Sequence, residues 1–186
     1  MTRPRLLIAC VGNIFLGDDA FGVEVARRLG AVELPEGTRV IDVGIRGIDL
    51  TYALMDGYES IILVDATPRG GAPGTLYVIE PTLDGQFGQE CAGSLLDGHG
   101  MDPAKVLRLA ESLGARIGRL LVVGCEPETC STSDDMQDGL SEPVRSAVEE
   151  AVSLILSLAG RLLRGEEIGA GVEDPTPAKE VGRCPP

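Results

Sequence analysis

Gly12-Asn13-Ile14-Phe15-Leu16-Gly17-Asp18-Asp19-Ala20-Phe21-Gly22, preceded by the apolar run Leu6 to Val11, is the stretch from which the fold can be read. An apolar strand that turns through glycines into a helix is where α/β proteins place phosphate-binding loops. The Gly12-x4-Gly17 spacing imitates a Walker loop, but the Lys-Ser/Thr expected after the second glycine is Asp18-Asp19. Two carboxylates repel a phosphate, so this loop suits a cation instead. No Gly-x-Gly-x-x-Gly follows the strand, which argues against a dinucleotide site.

Outward from that loop, strands and helices alternate. The first strand spans Arg5 to Val11, and a helix from about Ala20 to Leu29 sets Phe21, Val25 and Leu29 on one face. A second strand runs from Thr38 to Val43, and Asp49 is placed to cap a short helix from Leu50 to Met55. The third, Ser60 to Val64, is continuously apolar, as inside a parallel sheet, and ends at Asp65. Only nine residues separate Asp65 from Thr75, among them Pro68, Gly70, Gly71, Pro73 and Gly74. That is too short for a crossover helix, so Thr75 to Ile79 is predicted to be antiparallel and the sheet mixed.

In the second half, Met101-Asp102-Pro103 announces a helix, with Asp102 as cap and Met101 stapled onto Val106. It is expected to bury Val106, Leu109, Ala110 and Leu113 and to stop at Gly114. A fifth strand covers Arg119 to Val123. The last helix starts near Ser141-Glu142-Pro143, with an apolar stripe of Val144, Val148, Ala151, Ile155, Leu158 and Leu162. The expected organisation is one α/β domain over residues 1–164, followed by a disordered tail over 165–186.

Composition limits the partners. A formal charge of −13 in 186 residues, with a pI near 4.4, disfavours nucleic acid and anionic membranes. The basic start Met1-Thr2-Arg3-Pro4-Arg5 is followed by a run that breaks at Gly12-Asn13 without a cleavage site, so it reads as a strand rather than a signal peptide. No apolar run is long enough to span a bilayer. Five cysteines (Cys10, Cys91, Cys125, Cys130, Cys184) include no CxxC pair, which suggests neither a disulfide frame nor a zinc knuckle. A cytoplasmic location is expected.

Polar residues gather where the strands end. Asp18 and Asp19 follow the first strand, Asp42 and Asp65 end the second and third, and Glu126 follows the fifth. These positions converge on the carboxyl edge of an open sheet, where ligands bind. Each acid also has a structural explanation, since Asp18 or Asp19 can cap a helix and Asp42 can close a turn. The single histidine, His99, lies between glycines just before a helix. Carboxylates and an imidazole together suit a borderline divalent ion such as nickel, zinc or manganese.

Gly12 to Gly22, Val64-Asp65-Ala66, and His99 before a helix together resemble the hydrogenase maturation protease family. The resemblance runs from about Leu6 to the final helix. It implies a three-layer sandwich, with a twisted, mostly parallel five-stranded sheet between helices. It also implies an endopeptidase that removes the C-terminal extension of the [NiFe]-hydrogenase large-subunit precursor after nickel insertion. Its nickel-sensing site falls here on Asp19, Asp65 and His99, with the nickel presented by the precursor rather than permanently bound. A monomer is expected. Two positions depart from the family pattern: Asp19 is often Glu, and the Asp-Gly-Gly-Thr turn is Asp42-Val43-Gly44-Ile45 here.

Other chemistries are less well served. There is no Gly-x-Ser-x-Gly elbow or Asp-Thr-Gly pair, and nothing sets Cys91 within reach of His99. A cation at Asp19, Asp65 and His99 could polarise a scissile carbonyl and activate water, making these three the candidate catalytic residues as well. A receiver-like phosphoacceptor domain is the rival reading, but Gly124-Cys125-Glu126 stands where it needs a lysine. A non-catalytic nickel chaperone is a third.

Overall fold

The computed structural model describes residues 4–81, 103–128 and 139–168. Five strands form one sheet: β1 (Leu6–Val11), β2 (Thr38–Gly44), β3 (Ser60–Ala66), β4 (Leu76–Ile79) and β5 (Arg119–Cys125). Their order across the sheet is β2-β1-β3-β5-β4. All neighbouring pairs are parallel except β4 against β5, so the mixed sheet expected from the short β3–β4 link is present. An edge strand of opposite sense after β5 is unlike the all-parallel receiver arrangement.

Helices α1 (Phe21–Leu29) and α4 (Glu142–Leu163) cover one face of the sheet, and α2 (Gly47–Met55) and α3 (Pro103–Ser112) cover the other. Period-two alternation divides β1 between two cores. Leu6, Ile8 and Cys10 face α1 and α4, while Leu7, Ala9 and Val11 face α2. With both faces covered, β1 is buried along its whole length, which is why it reads as an unbroken apolar run. The α4 stripe is buried at all six predicted positions, Val144 through Leu162. Ile168, within the expected tail, packs into the same core. The rest of the predicted tail lies outside the described residues, as do Asp102 and Met101.

Three local expectations need correction. The acids Asp18 and Asp19 sit not in an open loop but in a turn of 3-10 helix, Gly17–Ala20, that leads directly into α1. Asp49 does not cap α2, which starts two residues earlier. It lies in the first turn and pairs with Arg46 at 2.8 Å. On α3 the buried face is Val106, Leu107 and Ala110, whereas Leu109 and Leu113 are 48% and 54% exposed. Leucines at 107, 109 and 113 offer two overlapping stripes. The packed one turns Leu107 into the core shared with Leu50 and Leu54 of α2.

One close approach joins these layers. A Cβ on Gly22 would lie 1.9 Å from the Val11 carbonyl oxygen and 2.8 Å from that of Val64. Only glycine lets α1 settle onto the carboxyl ends of β1 and β3, beside Asp19 and Asp65. Gly22→Ala should therefore destabilise the protein by about 3 kcal/mol or more in urea denaturation, at the upper end of overpacking effects. Gly30→Ala, whose Cβ would meet nothing nearer than 3.5 Å, should be close to neutral.

Candidate metal-recognition site

The acids at the carboxyl edge divide into two kinds. Asp18 is 1% exposed and fully engaged. Its Oδ1 accepts from the Ser141 N–H at 2.7 Å, and its Oδ2 accepts from the Glu128 N–H at 2.8 Å and the Ser141 hydroxyl at 3.0 Å. It thereby ties the first loop to the start of α4 and to the segment after β5. Glu126, also buried, accepts from the N–H groups of Arg69 and Gly70 and from the Tyr77 hydroxyl at 2.7 Å. Burial and that carboxylate push the Tyr77 phenol up to about 12. Asp42 accepts from the Gly44 N–H at 3.0 Å, which closes the turn after β2. All three are thus engaged within the fold: Asp42 closes its turn as expected, whereas Asp18 does not cap the first helix but binds distant donors.

Asp19 and Asp65 are different. Asp65 sits inside β3, one residue before its end, opposite Gly124 of β5, and is 7% exposed. Its carboxyl is raised well above the ordinary carboxylate range, chiefly by burial and next by the charge of Asp19. A hydrogen bond from the Ala66 N–H opposes the shift. Half-buried Asp19 is also raised, by burial, against the N–H of Asn13 that donates to its Oδ2 at 2.9 Å. Burial is thus the larger cause at both, and the charge of Asp19 adds to it at Asp65. Among the described residues no lysine or arginine pairs with either. Two acids, one buried and one half-buried, without a paired cation among the described residues fit a divalent cation.

The described residues offer those two candidate ligands and no third. Among them, no group of three or more His, Cys, Asp or Glu could hold a metal ion alone. His99, the third predicted ligand, and Cys91 lie outside the described residues. The described cysteines offer no nucleophile, since Cys10 and Cys125 are buried free thiols. Burial, reinforced by Asp18 and Glu126, pushes Cys125 up to about 12, and burial with Asp42 pushes Cys10 higher still, so both stay protonated.

The loop that presents Asp19 contains a residue the sequence reading passed over. Asn13 folds the loop on itself: its N–H meets the Asp19 carboxylate, and its Oδ1 accepts from the Phe15 N–H at 3.0 Å. Asn directly after a strand-ending glycine was the available signal, since Asn side chains close such turns. Gly12 is needed as well. Its φ is +155°, and a Cβ there would lie 2.2 Å from the Asp19 carbonyl oxygen. The Gly12-x4-Gly17 spacing is thus a device for aiming an acid rather than cradling a phosphate.

The α/β sandwich is also what comparison with known proteins finds. A sequence profile of the hydrogenase maturation proteases (HycI) matches residues 23–158. The hydrogenase expression/formation protein HoxM of Azotobacter vinelandii is 32% identical over 157 residues, which cover 84% of this chain and 72% of that protein. The hydrogenase maturating endopeptidase HybD of Escherichia coli superposes with a TM-score of 0.71 at 26% identity, over 85% of this chain and 93% of that one. A hydrogenase 2 maturation peptidase from a Thaumarchaeota archaeon is 32% identical, with a TM-score of 0.61, over 84% of this chain and 98% of its own. The chain belongs to the hydrogenase maturation protease family, and its enzyme class is that of the hydrolase peptidases. The receiver reading is set aside by that membership.

Neighbouring acids should respond oppositely to removal. Asp18→Ala leaves the Ser141 and Glu128 donors without their acceptor, and should cost about 2–3 kcal/mol in chemical denaturation. Asp65→Asn should stabilise the metal-free protein at neutral pH. A carboxyl raised in the folded state favours folding below its unfolded value of about 3.9 and loses that contribution as pH rises through the folded value. The gap between Asp65→Asn and wild type should therefore widen from acid to neutral pH and close below about pH 4.

Proposed function

We propose that this protein is the endopeptidase that removes the C-terminal extension of a [NiFe]-hydrogenase large-subunit precursor once nickel has been inserted. Nickel is read through Asp19, Asp65 and His99. The observation that carries the reading is a buried Asp65 and a half-buried Asp19 at one sheet edge, the charge of Asp19 adding to burial in raising Asp65, with no lysine or arginine paired to either among the described residues. Such a pair is unfavourable until a divalent ion arrives, so a nickel-loaded substrate would be favoured over an empty one. The nickel is part of the substrate here, not a resident cofactor. Family membership supports a hydrogenase precursor as partner.

In this reading Asp65 holds the incoming ion from a strand and Asp19 from the 3-10 turn before α1, where the Asn13 N–H keeps its carboxylate aimed. His99 would complete the set from the segment before α3. The same ion could withdraw electron density from the carbonyl to be cut and ease deprotonation of a water. The protein would act as a monomer in the cytoplasm. Among the described residues no helix is long and apolar enough to cross a membrane.

Nickel-loaded and nickel-free precursors incubated with the purified protein test this by mass spectrometry. Loss of one C-terminal peptide from the loaded form only is the expected result. Asp19→Ala, Asp65→Ala and His99→Ala should each slow it by at least about a hundredfold, since even residues that merely support metal ligands cost up to that much. Unimpaired processing by all three would refute the assignment. Tight nickel binding by the isolated protein without cleavage would instead mark a chaperone.

A further inference from the structure

The edge formed by β2 and α2 carries a binding feature that the carboxylate pair does not use. A groove of about 600 Å³ runs between them, lined by Arg39, Asp42, Asp49, Tyr52, Met55 and Asp56 among others. Two of its walls are apolar surface left open, with Tyr52 and Met55 65% and 46% exposed. Its charge is mostly negative. The one lining cation, Arg39, is already held by Asp56 at 3.1 Å and by the Tyr58 hydroxyl at 3.0 Å.

β2 is an edge strand, paired only with β1 among the described residues. The Leu6 N–H donates to the Gly37 carbonyl at 3.0 Å, and Leu6 lies opposite Thr38. In a parallel ladder that phase turns the odd-numbered residues of β2 toward β1 and leaves the N–H and C=O groups of Val40 and Asp42 facing outward. One of these groups has found a donor. Arg46 Nη2 donates to the Asp42 carbonyl at 3.0 Å, while its Nε pairs with Asp49. A guanidinium from the chain itself thus sits on the open edge and on one of the groove's acids, in the place of an incoming basic strand.

The strand that borders the groove ends beside the loop of the site. β2 ends at Gly44, whose carbonyl accepts from the Gly12 N–H at 3.2 Å, and Gly12 begins the loop that carries Asp19. We propose that this groove takes an extended basic segment of the polypeptide being cut, added as a sixth strand along β2. The proposal rests on the proteolytic reading above and gives that site its peptide channel. Backbone pairing would supply affinity, and Asp42, Asp49 and Asp56 would select a basic stretch over an acidic one.

The test uses a precursor that the wild-type protein has been shown to process, so failure of the proteolytic reading is recognised first, as absence of any cleavage. With that precursor, Asp49→Lys/Asp56→Lys should raise KM about tenfold at low salt and leave kcat within about twofold, the effect shrinking as salt is added. A synthetic peptide with the sequence of the released tail provides a second arm that leaves the protein unaltered. In amide NMR it should perturb Val40, Asp42 and the Tyr52 to Asp56 turn. N-methylation at alternate amides of the peptide should abolish binding in one phase and spare it in the other. Unchanged KM in the double variant, or peptide perturbations confined to other surfaces, would overturn the groove assignment while leaving the proteolytic reading intact.

Discussion

Burial of the Asp65 carboxyl, with the charge of Asp19 acting on it, is the constraint around which the carboxyl edge is organised. In water two carboxylates would separate or ionise freely. Here the parallel pairing of β1 with β3, register-locked from Leu6 opposite Ser60 to Cys10 opposite Val64, holds their attachment points together. The close seat of α1 at Gly22 and the Asn13 turn prevent the Asp19 loop from relaxing away. Holding a buried carboxyl here costs stability, as strained arrangements at many functional sites do.

Around that pair the remaining acids act as fasteners. Asp18 and Asp19 are adjacent in sequence yet point into different duties, because a turn of 3-10 helix separates their directions. Asp18 meets the backbone at Glu128 and Ser141 and so anchors α4, while Asp19 is left for Asp65. Glu126 gathers the β3–β4 connection onto β5 through Arg69, Gly70 and Tyr77. Carboxylates that accept backbone N–H groups are satisfied without a counter-ion, which is how so acidic an edge remains folded.

The fold was largely legible because its signals are local. β1 and β3 read as unbroken apolar runs, the β3–β4 link was too short to cross over, and α4 carries one unambiguous stripe. The face of α3 was not legible, since its leucines support two stripes and only the neighbouring α2 decides between them. Of the acids, the sequence could place Asp18, Asp19, Asp42, Asp65 and Glu126 at one edge. It could not sort them, because the amides that occupy Asp18 and Glu126 come from residues 56 to 123 positions distant. Only tertiary structure shows which carboxylates are spent. Asn13 escaped notice for the opposite reason: its effect is local, but its value depends on the acid it aims.

Carboxyl-carbon NMR of Asp65, titrated against pH with and without zinc as a diamagnetic divalent probe, reads the coupled pair directly. The expected outcome for the metal-free protein is a carboxyl that holds its proton well above the range of an ordinary aspartate. That value should fall when Asp19 is replaced by Asn, and zinc should ionise the group at lower pH. An Asp65 that titrates near the unperturbed value of about 3.9, indifferent both to Asp19→Asn and to zinc, would contradict the account.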